Sequence, residues 1–512
     1  MYGESDIYKL NPALGFVIYS TCKLLYVILY IALFFCFRLS LFITYFMNFL
    51  NKNAPDRKVK IKKMPPASSS QLQKKAGSAP TAAIITLGCK VNQYESEAIA
   101  ERLTSLGFDV LTSADVCDVY IINTCTVTAE ADRKSRQMIR RARTLNPGAA
   151  VIVCGCYAQG SPLDVARIDG VAFVSGSADK LRAADAALEI VKNGIPTSPV
   201  VSVGALPTTY EPMEISHAPK TRAFVKICDG CDGRCVYCII PSVRGRVRSR
   251  KISDITSEVT RLVEGGCLEV VLTGIETASF GRDTGETLID LLCAVDSVPG
   301  IRRIRLGSLD PTIMRPHFIE AITKLRHLCP HFHLSVQSGC SKTLAAMRRR
   351  YTAEMVEEAA AALRAVFPRV MLTADVITGF PGETDEDFEE TLNFMRRMRF
   401  LSAHVFAFSP RRGTPAATMD GQIPPAVRRE RSSQLISLQR KITDDVIAEY
   451  IAAYPKDEIL LEATSGRLSG HTPNFIETII KQTDSASSAV SGRLYDVIFT
   501  GCRDGIAFAE II

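Results

Sequence analysis

The chain has 512 residues, 47% of them hydrophobic and 22% charged, which excludes a disordered or fibrous protein and leaves room for two to four domains. A net charge of +7 permits a nucleic-acid partner without requiring one. The 16 cysteines are spread through long segments with no cleavable signal peptide, which points to reduced thiols and metal ligation and away from a secreted disulfide scaffold.

The first fifty residues stand apart. Leu24 to Phe37 reads LLYVILYIALFFCF, and the apolar character continues past Arg38 to Leu50. With Lys23 or Arg38 at an edge this run is long enough for a membrane anchor. Lys52, Arg57, Lys58, Lys60, Lys62 and Lys63 follow it and would hold the rest of the chain in the cytoplasm. The preferred reading of residues 1–50 is a start assigned too early, with translation beginning at Met47 or Met64. Either way the remainder is expected to be cytoplasmic. Residues 51–80, rich in Lys, Pro, Ser and Ala, read as a linker.

From Ala82 short apolar runs alternate with helical patterns. AAIITLGC (82–89), VYIINTC (119–125) and AAVIVCGC (149–156) read as buried strands. Helices are expected over 95–107 and 129–148, the second halted by Asn146-Pro147-Gly148. That alternation predicts βαβ units on a parallel sheet. A proline-bearing linker spans Thr197 to Thr221, and from there to about 445 six strand-like runs alternate with helices, predicting a partial (βα) barrel. The tail changes rhythm: DEILLEA, NFIETIIK and LYDVIFTG predict a small antiparallel β-barrel. The fold class is therefore α/β, with an N-terminal parallel domain at 81–196, a central partial barrel at 217–447 and a small β-barrel at 448–512.

Two cysteine constellations carry chemistry. Cys231, Cys235 and Cys238 form a C-x3-C-x2-C run on one loop, with Gly230 and Gly233 supplying tight turns. Three thiolates so close can hold three irons of a 4Fe–4S cluster and leave the fourth iron open. Zinc is the alternative, with Cys228 as a fourth ligand. Cys89, Cys125 and Cys156 each end a predicted parallel strand, and the carboxyl ends of such strands face one crevice. They are expected to converge and again leave an iron open. Cys154 lies two residues before Cys156, but Gly155 and Tyr157-Ala158-Gln159 mark Cys156 as the turn residue.

The loop Cys231–Cys238, with the aromatic Tyr237 before its last cysteine, resembles the radical S-adenosylmethionine (SAM) superfamily. The ordered strings TLGCKVNQYESE (86–97), NTCTVT (123–128), GCYAQ (155–159), DGCDGRCVYCIIPSVRGRVRS (229–249), QSG (337–339), TGFPGET (378–384) and FSPRRGTPA (408–416) narrow the resemblance to the methylthiotransferase family, over about 82–512. Lys90, Val91 and Asn92 resemble the branch acting on threonylcarbamoyladenosine in tRNA; the alternatives are branches acting on isopentenyladenosine or a ribosomal protein. A rival of another class is a zinc-stabilised RNA-binding protein without catalysis.

The resemblance implies two 4Fe–4S clusters, held by Cys89, Cys125 and Cys156 and by Cys231, Cys235 and Cys238, with SAM as both methyl donor and radical source. It implies that the radical arises at the second cluster and that a methylthio group is inserted at C2 of the adenine, on a nucleotide everted from the tRNA anticodon arm. An electron donor such as flavodoxin or ferredoxin is implied, and the sulfur donor is left open. Tyr237, Gln337, Ser338, Asp375 and Gly379 are implied SAM contacts, and the final domain resembles the RNA-binding TRAM barrel.

Other residues carry expectations of their own. Arg244, Arg246, Arg248 and Arg250 alternate and are expected to point together toward phosphate or the SAM carboxylate. Arg133, Arg136, Arg140 and Arg143 follow a three-to-four spacing that forms one helix face, suited to RNA phosphates. His331 and His333 read as structural, and Glu383 as the cap of a helix at 384–399. The tail from Glu449 carries five Lys/Arg against nine Asp/Glu, an acidic balance at odds with RNA binding there.

Overall fold

The computed structural model describes residues 78–217, 221–462, 467–481 and 488–512; the apolar extension and most of the first linker lie outside these. No helix among the described residues is long and apolar enough to cross a membrane.

The N-terminal domain is a parallel sheet of β1 (Thr81–Thr86), β2 (Asp109–Leu111), β3 (Val119–Thr124), β4 (Ala150–Gly155), β5 (Val171–Ser175) and β6 (Val200–Ser202), in the order β2-β1-β3-β4-β5-β6. β3, β4 and β5 are buried along their whole length, which is why they read as unbroken apolar runs. Separate apolar clusters cover the two faces, one around Ile99, Ile121 and Phe173 and the other around Ile122, Ile139 and Val153.

The central strands are β7 (Arg222–Lys226), β10 (Glu269–Thr273), β11 (Arg303–Leu306), β12 (Ser308–Leu309), β13 (His331–Gln337), β14 (Met371–Thr378) and β15 (Ser402–Ala407). A short antiparallel pair, β8 (Cys228–Asp229) and β9 (Arg248–Ser249), flanks the cysteine loop. The orders β11-β10-β7 and β12-β13-β14-β15 are parallel throughout, and only Gly307 separates β11 from β12. At Gly307 a Cβ would lie 2.9 Å from Thr277 Oγ1, so the strand bends where no side chain fits. With β11 and β12 taken as one strand interrupted at Gly307, six strands make the expected half-barrel. Ala223, Val225, Val270, Ile304, Leu334 and Ala374 join the main apolar core, whereas the alternate residues Arg222, Lys226, Glu269, Arg305, His333 and Asp375 carry hydrogen bonds or ion pairs on the opposite face. The lumen is polar.

The helix Pro425–Ala453 runs past residue 447, and the final barrel begins at β16 (Lys456–Glu462). With β17 (Ser469–His471), β18 (Glu477–Ile480), β19 (Leu494–Arg503) and β20 (Ile506–Ile511) it closes in the order β16-β17-β18-β20-β19. It is not antiparallel throughout: β18 and β20 pair in parallel. A closed ring with an odd number of strands cannot alternate direction at every step, so one parallel pair is obligatory.

The turn after β17 packs against the half-barrel at the amino ends of its strands. Phe475, at φ +77°, stacks between His331 and His471 with centroids 4.8 and 4.5 Å away. Arg305 donates to Pro473 O and Arg303 to His471 O, each at 3.0 Å. Arg222, Arg303 and Arg305 all surround Glu269 and hold its buried carboxyl down at about 2 against the effect of burial.

Candidate functional site

The first three cysteines lie just beyond their strands. Cys89 is the N-cap of the helix Lys90–Ser105, Cys125 follows β3 directly, and Cys156 opens the short helix Cys156–Gly160. Glycine conformation makes the convergence possible. At Gly88, φ +99°, a Cβ would meet Cys125 Sγ at 2.9 Å; at Gly155, φ +100°, one would meet Thr124 O at 2.4 Å. Asn92 stitches two of the loops, donating to Leu87 O at 2.7 Å and Thr124 O at 3.0 Å. The charges of Cys89, Cys125 and Cys156 bear on one another, so the structure brings these three together. Cys89 remains solvent-exposed although protein surrounds it, the condition of a side chain lining a cleft. Cys154, by contrast, is buried in the apolar cluster with Ile99 and Ile121, because Gly155 reverses the chain between it and Cys156.

A buried polar network backs this triad. Arg244 Nε donates to Cys156 Sγ at 3.1 Å, and the same guanidinium reaches Asn92 Oδ1 at 2.6 Å, Glu95 Oε2 at 3.0 Å and Asp229 Oδ2 at 3.1 Å. Glu95 also binds Lys180 and Lys226, each at 2.9 Å. Burial alone would raise the Glu95 carboxyl; Arg244, Lys180 and Lys226 hold it well below the usual carboxylate range.

The second triad sits on the loop after β8. Gly230, φ +74°, has no room for a Cβ, which would fall 1.9 Å from Arg246 O. Gly233 N–H donates to Cys231 Sγ at 3.2 Å. Backbone bonds from Val236 N to Met347 O (3.2 Å) and from Ala416 N to Val236 O (3.0 Å) pin the loop. Behind it pack Phe380, Phe408 and Met347, with Tyr237 edge-on to Phe380 at 6.4 Å. Arg349 donates to Cys235 Sγ at 3.1 Å and pairs with Asp310 at 3.1 Å. Each triad therefore has one sulfur under an arginine. Asp229, two residues before Cys231, shares Arg244 with Cys156 and so links the two groups.

Burial pushes the thiols up, to about 12 for Cys125 and Cys238 and about 11 for Cys231, so a bound cation is needed to hold them as thiolates at neutral pH. Three cysteines with no fourth suit an iron–sulfur cluster that keeps one iron free. Cys228 donates to Glu276 O at 3.5 Å and packs against Gly274. Among the described residues no three His, Cys, Asp or Glu side chains approach closely enough to share a single metal ion.

The other expected site residues separate. Gln337 ends β13 at φ +70°, and Asp375 pairs with His333 Nε2 at 3.1 Å on the lumen face. Ser338 is buried, with its hydroxyl taken up by Thr391 (3.3 Å) and Cys340 N–H (3.1 Å). Gly379 donates to Glu383 Oε1 at 2.8 Å, and a Cβ there would lie 2.3 Å from Arg428 Cγ. Arg136, Arg140 and Arg143 line one surface groove of about 740 Å³ with Tyr157 and Arg167, whereas Arg133 is turned to Glu130 at 2.6 Å.

Two expectations are corrected. The arginines after the cysteine loop do not point together: Arg244, Arg248 and Arg250 are buried in ion pairs with Glu95, Asp229 and Glu258, and only Arg246 is exposed. The chain there is a short helix, a glycine turn and a two-residue strand, so strand alternation does not apply. Thr384, not Glu383, caps the helix Asp385–Met398, through a capping box with Asp387; Glu383 is buried against Arg431. His331 and His333 keep the structural role expected of them: both face the lumen and share the Thr373 hydroxyl, at 3.1 and 2.9 Å, and His331 stacks on Phe475. The sequence reading missed His404, which the two-residue alternation of β13–β15 could have revealed, and it read Arg348–Arg350 as a basic cluster suited to phosphate, missing the bond from Arg349 to Cys235. It also missed the use of FSPRRGTPA, whose Ser409 and Arg411 reach Ala129 N (2.9 Å) and Asp132 (2.6 Å) beside Cys125.

A parallel half-barrel carrying a three-cysteine loop after its first strand defines a radical SAM enzyme, and the profile of the radical SAM superfamily matches residues 225–395. The profile of an uncharacterized protein family, UPF0004, matches residues 81–176. The threonylcarbamoyladenosine tRNA methylthiotransferase MtaB of Bacillus subtilis is 36% identical over 411 residues, 79% of this chain and 91% of that one. Its counterpart in Thermotoga maritima is 39% identical over 352 residues, 69% and 80% of the two chains. The tRNA-2-methylthio-N(6)-dimethylallyladenosine synthase of Moorella thermoacetica is 34% identical over 460 residues, 84% and 98%. The chain belongs to the methylthiotransferase family of radical SAM enzymes, and its chemistry draws on iron–sulfur and SAM.

Proposed function

We propose that this enzyme inserts a methylthio group at C2 of threonylcarbamoyladenosine next to the tRNA anticodon. The observation that carries this reading is Arg244, which joins Cys156 of one triad to Asp229 at the base of the other. One substrate base can then meet both centres. Cys89, Cys125 and Cys156 would hold one 4Fe–4S cluster and Cys231, Cys235 and Cys238 the other, each with an open iron. When bound, the clusters and SAM supply the radical and the methylthio group. The protein's own residues orient: Arg244 and Arg349 place a fixed positive charge on one sulfur of each triad, and the aromatic packing of Tyr237, Phe380 and Phe408 backs the half-exposed loop. Tyr237, Gln337, Asp375 and Gly379 would border SAM, while the hydroxyl of Ser338 is already engaged. Arg136, Arg140 and Arg143 would receive tRNA phosphates. The domains would divide the work at 81–196, 217–447 and 448–512, with electrons from a flavodoxin or ferredoxin and the reaction in the cytoplasm.

Nucleoside mass spectrometry of tRNA from a strain lacking the gene tests the substrate. The 2-methylthio form of threonylcarbamoyladenosine should vanish and the parent nucleoside accumulate. Persistence of that form with loss of its isopentenyl counterpart would assign the enzyme to the other tRNA branch.

A further inference from the structure

Residues 408–416 leave the half-barrel after β15 and touch the carriers of both triads. The two feet of this segment stand behind the second triad. Phe408 and Ala416 are buried in one apolar cluster with Val236 and Phe380, and Ala416 N–H donates to Val236 O at 3.0 Å, next to Cys235. A turn folds the segment back on itself: the N–H and the hydroxyl of Thr414 both donate to Arg411 O, at 3.0 and 2.7 Å. The tip reaches the other domain. Ser409 Oγ accepts from Ala129 N–H at 2.9 Å, at the start of the helix Ala129–Leu145. One nitrogen of Arg411, Nη2, donates to Thr126 Oγ1 at 2.8 Å and to Asp132 Oδ2 at 2.6 Å. Thr126 Oγ1 in turn donates to Asp132 Oδ1 at 2.6 Å, closing a ring of three side chains. Thr126 follows Cys125 directly, and Ser135 on the same helix donates to Cys125 O at 3.3 Å.

Arg411, Thr126, Asp132 and Ser409 belong to no apolar cluster of either domain, so their bonds set the spacing of two loops without building a core. Only 12% of the Arg411 side chain and 14% of the Asp132 side chain are exposed, so water does not readily replace a lost partner. Arg244 ties the Cys156 side of the first triad to the half-barrel, and Arg411 ties the Cys125 side. We propose that Arg411 is a positioning residue: residues 408–416 are a strut that fixes the Cys125 loop against the Cys235 loop, and that spacing couples radical formation at one triad to sulfur insertion from the other. The assignment rests on the function proposed above and adds the residue that registers its two centres.

The test reads loop order and product ratio together. The cluster-loaded full chain receives SAM, dithionite and an anticodon stem–loop bearing threonylcarbamoyladenosine in a single turnover, as wild type, Arg411→Met and Arg411→Lys. Arg411→Met should keep wild-type iron and wild-type release of 5′-deoxyadenosine. Its methylthio product per 5′-deoxyadenosine should fall about tenfold or more, the scale of loss that a misplacement of about 1 Å brings. Amide hydrogen exchange, measured without stem–loop, should quicken at residues 125–132 in this variant and keep its wild-type rate at 231–238. Arg411→Lys, which can keep the bond to Asp132, should restore most of both. An unchanged product ratio, equal loss of 5′-deoxyadenosine and methylthio product, or unchanged exchange at 125–132 overturns the assignment. Wild type that forms no methylthio product on this stem–loop overturns the substrate reading itself, and the exchange measurement still judges the strut.

Discussion

The two cysteine triads reach similar arrangements by opposite routes. Cys231, Cys235 and Cys238 belong to one loop, held by neighbours close in sequence such as Gly233 and by a few backbone bonds to Met347 and Ala416. Cys89, Cys125 and Cys156 come from the ends of three segments, and their meeting depends on the β1–β3–β4 register, on two left-handed glycines and on Asn92. A site assembled from one loop survives disturbance elsewhere; a site assembled from a sheet shares the fate of that sheet.

The largest expected effect separates the triads chemically. Cys235→Ala should lose SAM cleavage, since the radical is assigned to that centre, whereas Cys125→Ala should still release 5′-deoxyadenosine while inserting no sulfur. Each should retain about four irons, one cluster's worth. Chromatography of SAM products with iron analysis decides it, and equal loss of SAM cleavage in a folded Cys125→Ala protein removes the division of labour.

A second contrast lies in two buried carboxyls, one near each triad. Glu95 has three cationic partners and sits well below its ordinary value of 4.5; its contribution to stability is present above pH 4.5 and is lost as pH falls through the folded value. Glu276, near Cys231, is pushed up to about 7 by burial and by Asp310, and its Oε1 has no hydrogen-bond partner among the described residues. Its raised value runs the other way, stabilising at low pH and losing that contribution as pH rises from 4.5 through 7. Glu276→Gln should therefore flatten the decline between pH 5 and 8, by roughly 1–3 kcal/mol in urea unfolding, whereas Glu95→Gln should destabilise at pH 8. An unchanged pH slope in Glu276→Gln would sink this account.

The smallest effect concerns the surface. Arg136→Gln/Arg140→Gln should reduce the slope of tRNA affinity against salt by about one per lost phosphate contact. Arg493→Gln/Arg503→Gln on the final barrel provides the comparison. A slope altered only by the barrel pair would move RNA binding to the tail.

The strands and the cysteines at their ends were legible because buried parallel strands declare themselves as apolar runs ended by glycine. The half-barrel followed from the six-fold alternation. What stayed hidden depends on contacts between distant segments. Arg244 could not be matched to Cys156, 88 residues away, nor Arg349 to Cys235, 114 away, from spacing alone. The acidic balance of the tail is also partly an internal matter. Asp457, Glu458 and Glu462 are spent inward on Arg369, Arg303 and Arg222, so the net charge of the segment says little about its outer face.

The turn carrying Phe475 turns the half-barrel from a pipe into a cup. Aromatic stacking and guanidinium–carbonyl bonds stopper the base of the lumen, the end away from the loop that carries Cys231, Cys235 and Cys238. Clipping away the last sixty residues would do more than remove an appendage. Water would reach Glu269 and His331 from below, and an ion-paired floor that is dry in the intact chain would become a leak beneath the place where radicals must be kept from solvent.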